Sequence, residues 1–183
     1  MTQVQALDLR PGTLVSYEGR MCKVTWWNIL RNDRRQFVQM KLKDIQTGRV
    51  SELKEHGDTK YEVLENEEID LNYSYRDGID EVFFTEAGDE VRCPVAAAED
   101  ALLWPADTYT GFYVQGQLVS VNAPKTAVLT VTETAPPIKG AGTGQKEAIL
   151  ENGVKVKVGM LTETGDKVRI DTETLEFKER ITG

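Results

Sequence analysis

The chain has 183 residues, about 40% of them apolar, and carries a formal charge of −8 from 22 basic and 30 acidic side chains. That apolar share supports real cores and argues against a wholly disordered chain. No apolar run approaches the roughly 18 to 20 residues of a membrane-spanning helix, and Met1 to Arg20 lack a signal-peptide stretch, so a cytoplasmic chain without a membrane role is expected.

Taken in order, the predicted elements are nearly all strands. "TLVSYEG" turns at Glu18-Gly19-Arg20 into "RMCKVTWWNIL", a hairpin signal. Trp26 and Trp27 are consecutive on that strand, so their rings point to opposite faces. One is expected in the core; the other either packs on the hairpin or stacks on a base. The polar link "LRNDRRQ" follows, then "RQFVQMKLKDIQTG", with Phe37, Met40, Leu42 and Ile45 as core candidates. Thr47-Gly48 turns the chain into "RVSELKE". "KYEVLENEEIDLNYSYRDG" ends on the hairpin signal Asp77-Gly78, and "DEVFFTEAGDEVRC" turns at Ala87-Gly88-Asp89. "PVAAAEDALLW" is the one helix, with Pro94 suited to its first turn and Trp104 expected to pack against it. After Pro105 the β pattern resumes in "GFYVQGQLVSVNAP" and "TAVLTVTETAPP". Further short strands follow, with turns at Gly140–Gly144, Asn152-Gly153, Gly165-Asp166 and near Thr174-Leu175.

About a dozen short strands with breaks near Glu65–Glu68 and Lys125–Ala127 fit three small β-barrels, at 1–64, 65–127 and 128–183. Charge is partitioned along the same lines. Residues 1–64 hold 11 basic and 8 acidic side chains, and residues 65–127 hold 3 basic and 13 acidic. Residues 20–49 alone are +6. A local basic patch matters more for nucleic-acid binding than the overall balance. The three arginines of the polar link, Arg31, Arg34 and Arg35, can reach phosphate or ribose through planar, forked donors, or can simply solvate a turn.

Catalytic chemistry is hard to place. The single histidine, His56, excludes multi-histidine metal sites and lies in a polar stretch that reads as a solvated loop or strand edge. Cys22 and Cys93 form no CxxC pair and read as two buried thiols. "GAGTG" at 140–144 precedes a strand rather than a helix, so it reads as a turn and not as a phosphate loop. No enzyme, metal or cofactor is expected.

Several segments resemble bacterial elongation factor P. "MKLKDIQTG" is similar to the strand and turn after that family's functional hairpin, and "DLNYSYRDG" to the start of its second domain. "GQLVSVNAPKTAVLTVTETAPPIKG" is similar to its crossing into the third domain. The C-terminal run "GTGQKEAILENGVKVKVGMLTETGDKVRIDTETLEFKER" places Lys146, Ala148, Gly153, Val156, Val158 and Gly165 on the family's signature spacing. It departs at Gly159, where the family has proline, and at Thr162, where it has an aliphatic residue.

The resemblance implies an all-β, L-shaped tRNA mimic, with an SH3-like (KOW-like) first domain and two OB-like domains. It implies a monomeric translation factor that binds the ribosome, through rRNA and ribosomal proteins, beside the peptidyl-tRNA. There it would promote peptide-bond formation at proline runs. Arg31, Asn32, Asp33, Arg34 and Arg35 would form the tip loop. Lys41, Lys43, Arg49, Lys146 and Arg180 would contact tRNA or rRNA backbone, and Glu99 and Asp100 would lie in a loop on the mRNA side. Family members carry a modified lysine or arginine at the tip. Here an ungapped count gives Asp33, a shift of one gives Asn32 or Arg34, and no lysine occurs between residues 24 and 40. Arg34 is the candidate target of a tip-modifying enzyme, with Arg31 and Arg35 behind it. The alternative is a divergent paralogue, a β-barrel module that binds RNA or protein without the proline role.

Overall fold

A computed structural model of the chain describes every residue except Met1, Asp33, Ala141 and Gly183, and describes Asn32 by its backbone alone. Sixteen strands and one eight-residue α-helix occur among the described residues. The chain is all-β, and no described helix is long and apolar enough to cross a membrane.

Six strands make the first sheet: β1 (Thr2–Gln5), β2 (Leu14–Tyr17), β3 (Arg20–Asn32), β4 (Arg35–Asp44), β5 (Val50–His56) and β6 (Lys60–Val63), in the order β1-β6-β2-β3-β4-β5. The β2–β3 turn is Glu18-Gly19, both at positive φ (50° and 75°), the conformation a tight hairpin turn demands. The β3–β4 register shifts between Val24 and Trp26. Across that bulge the inward parity of β3 changes from Cys22 and Val24 to Trp27 and Ile29, which pair with Met40 and Val38. Trp27 therefore enters the core, where its Nε1 donates to the Ala6 carbonyl at 2.9 Å, while Trp26 stays outside, 40% exposed. Met40, Leu42 and Ile45 are buried as expected. Phe37 is not: its partner is His56, on the outer face of the sheet.

The second sheet comprises β7 (Glu67–Asp77), β8 (Asp80–Thr85), β9 (Glu90–Pro94), β10 (Tyr109–Val114) and β11 (Gln117–Asn122), ordered β11-β10-β7-β8-β9. Its edge strands β9 and β11 approach each other, curling the sheet towards closure. The helix, α1 (Val95–Leu102), follows Pro94 directly and buries Ala97, Ala98 and Ala101. Both thiols are free and buried, and burial pushes Cys93 up to about 12, which keeps it an inert thiol.

β12 (Thr126–Thr134), β13 (Gln145–Leu150), β14 (Lys155–Gly159), β15 (Lys167–Asp171) and β16 (Phe177–Ile181) form the third sheet, ordered β14-β13-β12-β15-β16. Trp104, expected against the helix, instead fills this sheet's core beside Leu129, Val131 and Leu150. The chain clusters into two compact units, one holding the first two sheets and α1 as far as Ala101, the other holding residues 102–107 and the third sheet.

Asp171 organises the β15–β16 turn. Burial opposes its ionisation, but the backbone N–H groups of Thr174 and Glu173, both at 2.9 Å, and the Thr174 hydroxyl outweigh it, so its carboxyl lies below the usual carboxylate range. A depressed folded-state pKa gives stability that is full above the unfolded value of about 3.9 and is lost as pH falls through the folded value. Asp171→Asn is expected to destabilise the third sheet near neutral pH by about 1–2 kcal/mol. That deficit should vanish near pH 2, and urea titrations of both proteins across pH check it.

Candidate nucleic-acid interface

The candidate tip is shorter than its sequence suggests. The β3–β4 ladder runs out to Asn32 opposite Arg35, and of the described residues between them only Arg34 lies in the turn. Arg31 and Arg35 are strand residues rather than loop residues, because the paired arm extends past the last apolar positions. Register puts Arg31 with Gln36 on the side of Val38, and Arg35 on the opposite side. Asp33 lies outside the described residues, as does the side chain of Asn32.

Arg31, Arg34 and Arg35 are nevertheless all exposed and all border one open cleft of about 740 Å³. Leu7, Gln36, His56, Gly57 and one acidic residue, Asp58, complete its wall. Gly57 is required by close approach: a Cβ there would stand 2.6 Å from Leu7 Cγ and 3.2 Å from the Gln36 carbonyl. Its N–H donates to that carbonyl at 2.8 Å, and its own carbonyl accepts from the Leu7 N–H at 3.1 Å. The base of the arm is thus tied to the first turn of the chain. The sequence reads His56 as a solvated loop or strand-edge residue; it is the last residue of the edge strand β5. What the sequence did not show is that the β4–β5 register places that ring 4.7 Å from Phe37 and on the cleft wall.

The other basic candidates divide. Lys41 is outward, 3.6 Å from Glu52 and 5.7 Å from the Trp26 ring, and Arg49 is exposed. Lys43, expected as a backbone contact, is only 5% exposed, and its ammonium is paired with Glu99 and, at 3.0 Å, with Asp100. Those two acids are not in a loop. They sit on α1, where the alanine-rich run continues the helix through them. Lys146 is also turned to a structural task, donating to the carbonyls of Ala135 and, at 2.6 Å, Thr162. Arg180 donates to the Leu161 carbonyl at 3.1 Å and lies 3.7 Å from Asp166, with 38% of its side chain exposed. Among the described residues no group of three His, Cys, Asp or Glu is placed to hold a metal ion.

The cleft can hold an anion or a ribose-phosphate edge; nothing in it pairs a nucleophile with a base. Residues 127–180 match the family model described as "Elongation factor P, C-terminal". The elongation factor P of Moorella thermoacetica is 33% identical over 179 residues, covering 94% of this chain and 97% of that one. That of Thermoanaerobacter is 31% identical over 186 residues, covering 97% and 100%. A solved structure titled "Eukaryotic translation initiation factor 5A from Methanococcus jannaschii" aligns with 66% of this chain and 93% of its own, at 14% identity and a TM-score of 0.41.

Proposed function

The chain belongs to the elongation factor P family and is a translation elongation factor, and we propose that it binds the ribosome beside the peptidyl-tRNA and promotes peptide-bond formation at runs of proline. The observation that carries this reading is the convergence of Arg31, Arg34 and Arg35 on one cleft at the end of a two-stranded arm. Paired strands hold the arm stiff, and guanidinium forks grip phosphate and ribose oxygens in a defined orientation. Proline attacks poorly because its ring restricts φ and its approach. Holding the peptidyl-tRNA end in a productive geometry recovers part of the entropic barrier without any catalytic residue in the factor. The reaction is then the ribosome's own.

The tip is read as arginine-based. With no lysine between residues 24 and 40, the arm offers no amine for extension. Arg34, in the turn itself, is the residue a tip-modifying enzyme would reach first. Lys41 and Arg49 remain as backbone contacts, whereas Lys43 and Lys146 are withdrawn from that role. We further read the chain as three domains, at 1–64, 65–127 and 128–183. The first two sheets fall inside the first two spans, and the third begins two residues before the last boundary.

The test is reconstituted translation of a reporter with three consecutive prolines, with and without the purified chain. Restored full-length product supports the proposal. Ribosome binding without rescue would assign the missing function to a tip modification. Loss of both would favour a divergent binding module.

A further inference from the structure

We propose that the outer face of β3, β4 and β5, which adjoins the tip at Arg35 and His56, is a second RNA-binding surface on which single-stranded nucleotides stack. Cross-strand partners share a face, so the register fixes its composition. One row across the sheet is Trp26, Lys41, Glu52; the next is Asn28, Gln39, Lys54; the third is Leu30, Phe37, His56; and Arg35 closes the end. Trp26 is 40% exposed, and Lys54, His56 and Arg35 are exposed too.

Three observations point to RNA. The first is the alternation of aromatic planes and cations. Lys41 lies 5.7 Å from the Trp26 ring, and Lys54 lies 5.4 Å from the Phe37 ring. Both distances approach the roughly 6 Å limit of a useful cation–π contact. A base can therefore slide over the ring while the ammonium moves to the flanking phosphate. The second is charge. The face carries Arg35, Lys41 and Lys54 against Glu52 alone, in a chain with a net charge of −8. A protein partner has no need of that imbalance, whereas a polyanion does. The third is the bulge after Val24, which turns Trp26 outward and sends Trp27 to the core. A large aromatic residue is thereby kept part-exposed on a three-stranded surface, where base stacking is sequence-tolerant.

The occupant is unpaired RNA, because duplex bases offer no free ring face. The surface does not depend on the proline role and would operate equally in the divergent module. Fluorescence anisotropy of a labelled, unstructured RNA of roughly 12 nucleotides, titrated with the full chain at low salt, reads it. Binding is expected to quench tryptophan fluorescence. Trp26→Ala should weaken binding by about 5- to 150-fold, the range for one stacked base. Trp26→Phe should keep most of the affinity while losing the quench, which assigns the signal to this ring rather than to Trp27 or Trp104.

Equal affinity for a duplex of the same length would overturn the proposal, because phosphate contact alone would then suffice. So would absence of binding, or unchanged affinity in Trp26→Ala. The quench in the wild-type chain keeps the test decisive should Trp26→Ala fold poorly. The Trp26 variants and the tryptophan quench read this face and the proline reporter reads the tip, so the two readings fail separately.

Discussion

Replacing Arg31, Arg34 and Arg35 together with alanine is expected to take rescue of a three-proline reporter to background and to weaken ribosome binding on the order of 100-fold. Each charged hydrogen bond to a phosphate or ribose is worth roughly 1.5 kcal/mol, about tenfold in affinity, and solvent at exposed sites reduces the sum. All three side chains are exposed and none belongs to a core cluster, so the loss is one of contact rather than of folding. Salt dependence isolates the electrostatic part: the log–log slope should flatten by about 2 to 3, the share of three phosphate contacts. Lysine at the same three positions separates charge from geometry. It restores the slope but loses the forked, planar donors, so binding should recover well ahead of rescue. Full rescue by the lysine variant would mean that the arm works by charge alone. Undiminished rescue by the alanine variant would remove the tip from the mechanism.

Turns and strand alternation were legible in the sequence because they are local. Glu18-Gly19 and Asn152-Gly153 lie where short polar-glycine pairs must relieve a positive φ, and the opposite facing of Trp26 and Trp27 follows from the two-residue period. What was illegible depended on partners distant in the chain. Lys43 sits in a basic stretch and looks like a phosphate contact; only the placement of α1, more than fifty residues on, turns it into a buried ion pair. Lys146 reads as a free cation until two carbonyls close on it. Trp104 follows the helix in sequence, yet it packs in the core of the third sheet, a partner set by residues more than twenty positions on. Phe37 was misplaced for a subtler reason. Alternation on β4 puts Val38 and Met40 inward, which forces Phe37 outward, but a phenylalanine beside Val38 reads as core until the register is known.

The ion pair at Lys43 makes a prediction that runs against the charge balance of the chain. Residues 65–127 carry 13 acidic and 3 basic side chains, so neutralising two acids there should relieve repulsion and stabilise the protein. The local geometry argues the reverse. The Lys43 side chain is 7% exposed, whereas Glu99 and Asp100 are 47% and 56% exposed. The acids can be hydrated without their partner; the ammonium cannot be hydrated without moving. Changing both Glu99→Gln and Asp100→Asn therefore leaves a buried cation with neutral acceptors, at a cost of about 3 kcal/mol. Lys43→Met leaves two half-hydrated carboxylates and keeps the packing of the stem, at a cost of about 1 kcal/mol or less. Long-range repulsion is screened within about 10 Å at moderate salt and contributes only tenths of a kcal/mol, so the local effect wins. The same junction is held by the Lys23 ammonium donating to the Val121 carbonyl at 3.0 Å, and by Gly48, where a Cβ would stand 3.3 Å from Ala96 Cβ. Because β4 carries both Lys43 and Arg35, loosening this junction also loosens the seat of the arm. Chemical denaturation of the full chain should show the double acid variant well below Lys43→Met. The triple variant should recover most of the difference, since its methionine no longer strands a charge. A double acid variant as stable as the wild-type chain would show that Lys43 escapes to water and that the pair is not what holds α1 to the first sheet.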